Sequence, residues 1–326
     1  MKTRIRWIRW SFLLLALAVL AGLALFKLIN EQPRLIPAFL VEQVRQPDLL
    51  EYPEARRCAD CHQEIFEAWK KSRHSLAWVS ESYIKNSENR SKEKCLACHV
   101  PKEVVPGVKP DPRLQQRDDG IYCVPCHVRN GAMNGPYDLF SPPHPTRKNA
   151  DYRSSKFCST CHQKTFKEWS DTGSRQTCQS CHMKRRGGRL TQKFPLNWLH
   201  VKREVADHSF PKGDLVTDSL YVQGTFADAA FMVRLVNTTV PHRVPTADNG
   251  DPRLFVQVTF MDEKGGELDG DREILSPQQD TALIYQKPVD LQFFPPTQTQ
   301  SARIVLRYQP AWGKERSDVV SLTVQR

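Results

Sequence analysis

Every cysteine in this chain belongs to one repeated pentapeptide, Cys-x-x-Cys-His. The five copies are Cys58-Ala-Asp-Cys61-His62, Cys95-Leu-Ala-Cys98-His99, Cys123-Val-Pro-Cys126-His127, Cys158-Ser-Thr-Cys161-His162 and Cys178-Gln-Ser-Cys181-His182. Two thiols at this spacing can form thioethers with the two vinyl groups of one porphyrin, and the adjacent histidine then reaches the iron as an axial ligand. A Cys-x-x-Cys pair also suits half of a zinc site or a redox dithiol, but neither chemistry requires a histidine after the second cysteine every time. Five covalently bound haem c groups are therefore expected. The motifs follow one another at intervals of 37, 28, 35 and 20 residues. So little polypeptide per haem means that the porphyrins must form much of the apolar core, with short helices after each motif and long irregular connections.

The amino terminus carries Lys2, Arg4, Arg6 and Arg9, followed by an apolar run from Phe12 to Phe26 flanked by Trp7, Trp10 and Lys27. With its flanks the run reaches roughly 20 residues, enough to cross a bilayer. Residues 1–28 are expected to be an N-terminal transmembrane helix that holds the chain in the inner membrane. The alternative is a secretory signal, cleaved near Gly22 or Ala24 to release the body to the periplasm. In either case the basic end stays inside and the remainder is periplasmic.

The formal charge of +11 invites a reading as a nucleic-acid binder. Five ferric haems, each with about one net negative charge from its propionates, bring the total to roughly +6, and full reduction to about +1. The basic run Lys184-Arg185-Arg186 can neutralise propionates. Together with the export segment, this excludes nucleic acid as a partner.

Residues 29–57, with Pro33, Pro37, Pro47 and Pro53, read as a linker. Residues 58–214 form the expected pentahaem domain, mainly α and irregular. From about Leu215 the pattern changes to period two. Phe231, Val233 and Leu235 form one face, Leu254, Val256, Val258 and Phe260 a second, Ala302, Ile304, Leu306 and Tyr308 a third, and Val320, Leu322 and Val324 a fourth. With turns at Gly265-Gly266 and Pro295-Pro296, residues 215–326 read as an all-β sandwich of immunoglobulin-like type.

Shifting the chain by 100 residues superimposes Cys58-x-x-Cys61-His62-Gln63-x-x-Phe66-x-x-Trp69 on Cys158-x-x-Cys161-His162-Gln163-x-x-Phe166-x-x-Trp169. A helix starting at the motif stacks histidine, phenylalanine and tryptophan on one face, most simply as packing against haem. If the first helix runs on through Ser72-Arg73-His74, His74 lies about 18 Å beyond His62. Two axial nitrogens on one iron are only about 4 Å apart, so His74 would have to serve a neighbouring haem. The second copy has Ser174 at this position. Five histidines lie outside the motifs, His74, His144, His200, His208 and His242, and five irons need a sixth ligand. A stray histidine is as often a surface or structural residue. Met133 and Met183 are weaker candidates, and Met183 directly follows His182.

The segment from Cys58 through Trp69, Ser72 and His74 resembles the haem-binding module of the tetrahaem cytochromes c of ammonia oxidisers. It also resembles their larger relatives, the octahaem hydroxylamine oxidoreductases and tetrathionate reductases. Ser141-Pro-Pro-His144-Pro, Thr177-Cys178-Gln-Ser-Cys181-His182-Met183, Asp207-His208-Ser-Phe210 and Pro241-His242-Arg-Val-Pro245-Thr246 look like further recurring segments of such proteins. The resemblance spans roughly residues 55–260. It implies that His74, His144, His208 and His242 are distal ligands of low-spin bis-histidine haems, with His242 pinning the sandwich to the haem domain. His200 has no such motif around it.

A six-coordinate haem passes electrons but has no position for substrate. The expectation is accordingly an electron carrier rather than an enzyme. It would exchange electrons with redox proteins of an anaerobic, nitrogen- or sulfur-respiring chain, including a quinol-oxidising membrane complex, with a topology like that of anchored tetrahaem quinol dehydrogenases. The alternative is a haem-based oxidoreductase acting on nitrite, hydroxylamine or a sulfur oxyanion at one five-coordinate haem, with Arg243 or Tyr122 as candidate distal groups. No Cys-x-x-Cys-Lys variant is present to mark a nitrite-reducing haem.

Overall fold

A computed structural model describes residues 2–37, 39–211 and 219–326. The expected boundary at residues 214 and 215 lies outside them. The chain divides into two compact units, Met1–Phe157 with His182–Pro211, and Cys158–Cys181 with Lys212–Arg326. The fourth motif and its helix thus belong to the same unit as the C-terminal strands, rather than to the unit that holds the first three.

In the first unit a single helix runs from Lys2 to Glu31. Its stretch Trp10–Glu31 is long and apolar enough to cross a membrane, and its large apolar side chains from Trp10 to Phe26 are exposed. The body is built from short pieces. Helices Ala55–Ala59, Gln63–Lys70, Glu93–His99 and Cys123–His127 carry or follow the first three motifs. Strands β1 (Val128–Arg129), β2 (Ala132–Gly135) and β3 (Thr146–Lys148) form one small sheet, and β4 (Arg185–Gly188) pairs with β5 (Arg203–Ala206). Its apolar clusters are small: Ala55, Trp69, Tyr122 and Val124 in one, Trp78, Tyr83 and Val100 in another. Clusters of this size suit a unit whose main apolar mass comes from porphyrin.

A helix does not follow every motif, as the sequence suggested. The third is followed by the hairpin β1–β2 and the fifth by β4. The β1–β2 turn is Asn130-Gly131, both with positive φ, which is the two-residue turn whose twist matches the strands it joins. The first-copy helix also stops at Lys70 instead of continuing to His74. The buried Ser72 and Ser75 end it. Ser75 Oγ donates to Lys70 O at 3.0 Å and Ser72 O at 2.8 Å, and Ser72 Oγ accepts from Ser75 N at 3.2 Å. Such side chains compete with the helical backbone for partners.

The second unit contains two antiparallel sheets, ordered β10-β7-β6 and β12-β11-β8-β9. The strands are β6 Leu220–Ala227, β7 Ala230–Asn237, β8 Arg253–Met261, β9 Glu267–Leu275, β10 Pro288–Phe293, β11 Ser301–Gln309 and β12 Ser317–Gln325. The alternation seen in sequence becomes burial. Phe231, Val233 and Leu235 from one sheet share a core with Leu254, Val256, Val258, Phe260, Ala302, Ile304 and Leu306 from the other. Burying each of these larger side chains contributes about 1.5–3 kcal/mol. Gly224 on β6 permits the closest approach: a Cβ there would lie 2.6 Å from Phe231 Cζ and 2.8 Å from Ile304 Cδ1.

Candidate haem centres

The first and fourth attachment motifs share one local geometry. In the first copy, Cys58 O accepts from Cys61 N at 3.2 Å and His62 N at 2.9 Å; in the fourth, Cys158 O accepts from Cys161 N at 3.3 Å and His162 N at 3.0 Å. One tight turn therefore holds both thiols and presents the imidazole. Two thiols on one such turn are the arrangement that a pair of thioethers to one porphyrin needs. The hundred-residue repeat persists in three dimensions. Phe66 and Trp69 ring centres are 5.6 Å apart at 41°, and Phe166 and Trp169 are 5.4 Å apart at 39°. Both indoles donate to backbone, Trp69 to Ile121 O and Trp169 to Gln176 O, so they are packing residues with a satisfied N–H.

Each motif histidine is held through Nδ1. Four face a carbonyl: His62 that of Leu190 at 2.5 Å, His99 that of Ala77 at 2.6 Å, His127 that of Asn134 at 2.7 Å and His182 that of Pro211 at 3.0 Å. A carbonyl can only accept, so Nδ1 carries the proton and Nε2 keeps its lone pair for a metal. Burial lowers the pKa of His62, His99 and His208. It pushes His127 and His144 down to about 4, with neighbouring imidazoles adding to the effect. These rings are neutral at pH 7, the form that binds iron.

Two pairs of histidines have the spacing of axial ligands. The ring centres of His62 and His144 are 6.3 Å apart, and those of His127 and His208 are 6.2 Å apart, both at 37°. Two imidazoles on opposite sides of one metal, each bonded at about 2 Å, place their centres about 6.3 Å apart. His208 Nδ1 is in turn held by Ala206 O at 2.9 Å. The two sites are neighbours, because the Cys58 and Cys123 thiols are close enough to shift each other's pKa, and His62 is close enough to lower that of His127. The donor chemistry, tautomers and spacing thus fit haem at both the first and third motifs.

The second motif differs. His99 stacks on Tyr83 at 4.0 Å and 19°, and among the described residues no second imidazole pairs with it as His144 does with His62. His74 lies in the turn after the shortened helix, its ring edge-on to Phe210 at 4.3 Å and its carbonyl accepting from Ile121 N at 2.9 Å. The 18 Å separation argued from a continuous helix does not apply. The ring facing His62 at 6.3 Å is that of His144, not His74. Gly120, with φ +59°, fits against this turn; a Cβ there would lie 2.5 Å from His74 O. His200 is buried and its ring hydrogen-bonds the Phe140 backbone, while among the described residues its Nδ1 has no hydrogen-bond partner, a nitrogen whose lone pair suits a metal. Neither distal candidate of the catalytic alternative is placed for that role. Arg243 is bonded to Asp280, and Tyr122 is buried beneath the Arg113 guanidinium at 4.8 Å.

In the second unit the fourth motif is held by a β-sheet loop, chiefly through Asp248, which the sequence did not single out. Asp248 Oδ2 lies 3.3 Å from His162 Nδ1 and accepts from Thr165 Oγ1 at 3.1 Å, while Oδ1 accepts from Lys164 N at 2.6 Å. Burial raises the Asp248 pKa, but the hydrogen bonds from His162, Lys164 and Thr165 outweigh it and leave the carboxyl below its usual range. Thr246 donates to Glu168 Oε2 at 2.6 Å. His242 lies on the same loop, its Nδ1 2.8 Å from Arg243 O.

Fold and motif geometry together define the architecture of a multihaem c-type cytochrome with a C-terminal all-β region. Residues 57–128, which contain the first three motifs, match the family described as cytochrome c554 and c-prime. Among solved structures, a penta-heme cytochrome c552 from Thermochromatium tepidum is similar over 85% of this chain and 100% of its own, with a TM-score of 0.63 and 18% identity. The putative ApaA protein from Bordetella pertussis matches 32% of this chain and 92% of its own at 13% identity. A glycosyl hydrolase family 2 member from Bacteroides cellulosilyticus matches 33% of this chain and 14% of its own at 10% identity. Their TM-scores, 0.21 and 0.19, carry no argument. No curated protein matches in sequence.

Proposed function

We propose that this chain is a membrane-anchored, periplasmic pentahaem c-type cytochrome that carries electrons between respiratory partners through closely spaced, mostly bis-histidine haems. The supporting observation is the pair of neighbouring sites, His62 with His144 and His127 with His208, each spanned at the axial distance. An iron closed on both sides has no position for nitrite, hydroxylamine or a sulfur oxyanion. Haem supplies one-electron chemistry by cycling between ferric and ferrous iron. The chain's own residues keep Nε2 unprotonated, exclude water and hold the sites side by side. Cys58, Cys61, Cys95, Cys98, Cys123, Cys126, Cys158, Cys161, Cys178 and Cys181 would bind five haems, with His74, His200 and His242 as further axial ligands. The C-terminal sheets would form an immunoglobulin-like sandwich around the fourth site. Redox proteins and a quinol-oxidising membrane complex are the partners of this reading.

The test is haem content and turnover of the full-length holoprotein. Pyridine haemochrome and intact mass should give five haems per chain. The reduced protein should reoxidise with another cytochrome without consuming nitrite or hydroxylamine, and catalytic consumption of either would refute the carrier reading.

A further inference from the structure

The apolar helix does not run out into a free tether. Its last turn is built into the haem-bearing unit, with Ile29 only 5% and Asn30 only 8% exposed. Asn30 Nδ2 donates to Leu199 O at 3.0 Å, and its Oδ1 accepts from Val201 N at 3.0 Å. Arg203 Nη2 adds a bond to Asn30 O at 2.8 Å. One amide thus grips the backbone on both sides of His200. The body is attached at a fixed point, not at the end of residues 29–57.

That point fixes what lies beside it. The stretch Trp10–Glu31 is 22 residues, about 33 Å as a helix against roughly 30 Å of hydrocarbon. Asn30 therefore falls at the membrane–water boundary, and the segment it grips falls there too. Trp198, next to Leu199, is 72% exposed, and Phe194 is 76% exposed. Leu35 and Phe39, just beyond the helix, are also exposed. Exposed Lys193 and Lys202 bracket the aromatic pair. Exposed aromatics carry a cost in water, whereas tryptophan and lysine at the headgroup level are favourable.

We infer that segment 193–202 is a bilayer-seating surface, which places the first haem-bearing unit directly on the lipid headgroups with Phe194 and Trp198 inserted among them. The inference rests on the reading of the helix as a retained span. Lipid is the occupant because the segment is bonded to the end of that span and continues its apolar surface.

The experiment uses full-length holoprotein in nanodiscs of phosphatidylethanolamine and phosphatidylglycerol. Photoreactive p-benzoylphenylalanine replaces Trp198 in one sample and Leu17 in another, with an unchanged haem spectrum confirming the fold. Lipid adducts at both positions are the expected result. An adduct at 17 with none at 198, or a protein adduct at 198, overturns the seating surface and leaves the anchor standing. No lipid adduct at either position overturns the anchor as well.

Discussion

The Asp248 carboxylate stands 3.3 Å from His162 Nδ1, where the other four motif histidines meet a backbone carbonyl. A carboxylate makes the imidazole a stronger donor and favours ferric over ferrous iron. Asp248→Asn keeps an acceptor for Lys164 N while removing the charge. It should raise the midpoint potential of a single haem by on the order of 60 mV, a tenfold change for one electron. Spectroelectrochemical titration checks this, and an unchanged set of potentials would show that the contact does not tune the iron.

Opening either of the two proposed bis-histidine sites should be local. His144→Ala should convert the haem at Cys58 and Cys61 from low to high spin, and His208→Ala the haem at Cys123 and Cys126, each leaving haem content unchanged because the thioethers remain. Magnetic circular dichroism of the two variants would distinguish this from a general loss of ordering.

Gly120→Ala would place a methyl group against His74 O in a left-handed backbone conformation. The same turn supplies Ala77 O, which holds His99. The cost should exceed about 1 kcal/mol, read as a lower melting temperature together with a perturbed spectrum of the Cys95–Cys98 haem.

Gly224→Ala overfills the β core against Phe231 and Ile304. Such overpacking costs about 1–3 kcal/mol. Differential scanning calorimetry should show a lower transition temperature with haem content intact.

The sequence carried more of the chemistry than of the path of the chain. Motifs and β alternation were legible because covalent attachment needs fixed spacing and half-buried strands need period two. Candidate ligands could be named, but pairing could not, since His62 and His144 meet only through folding. The helix end at Lys70 was hidden because Ser72 and Ser75 act by side-chain competition, which helical periodicity does not register. The hairpin that brings Asn134 O to His127 was legible in Asn130-Gly131 but was passed over for the helix expected after every motif. Asp248 and Asn30 gave no signal, because an isolated aspartate in a loop and an asparagine ending an apolar helix acquire their roles only from residues 86 and 169 positions away.

The most direct test is low-temperature electron paramagnetic resonance of the oxidised full-length holoprotein with spin quantitation, before and after adding nitrite or hydroxylamine. Low-spin ferric signals from at least the two proposed bis-imidazole sites, unchanged by either addition, are predicted. High-spin signals from the His62 and His127 haems that shift when nitrite is added would contradict the account.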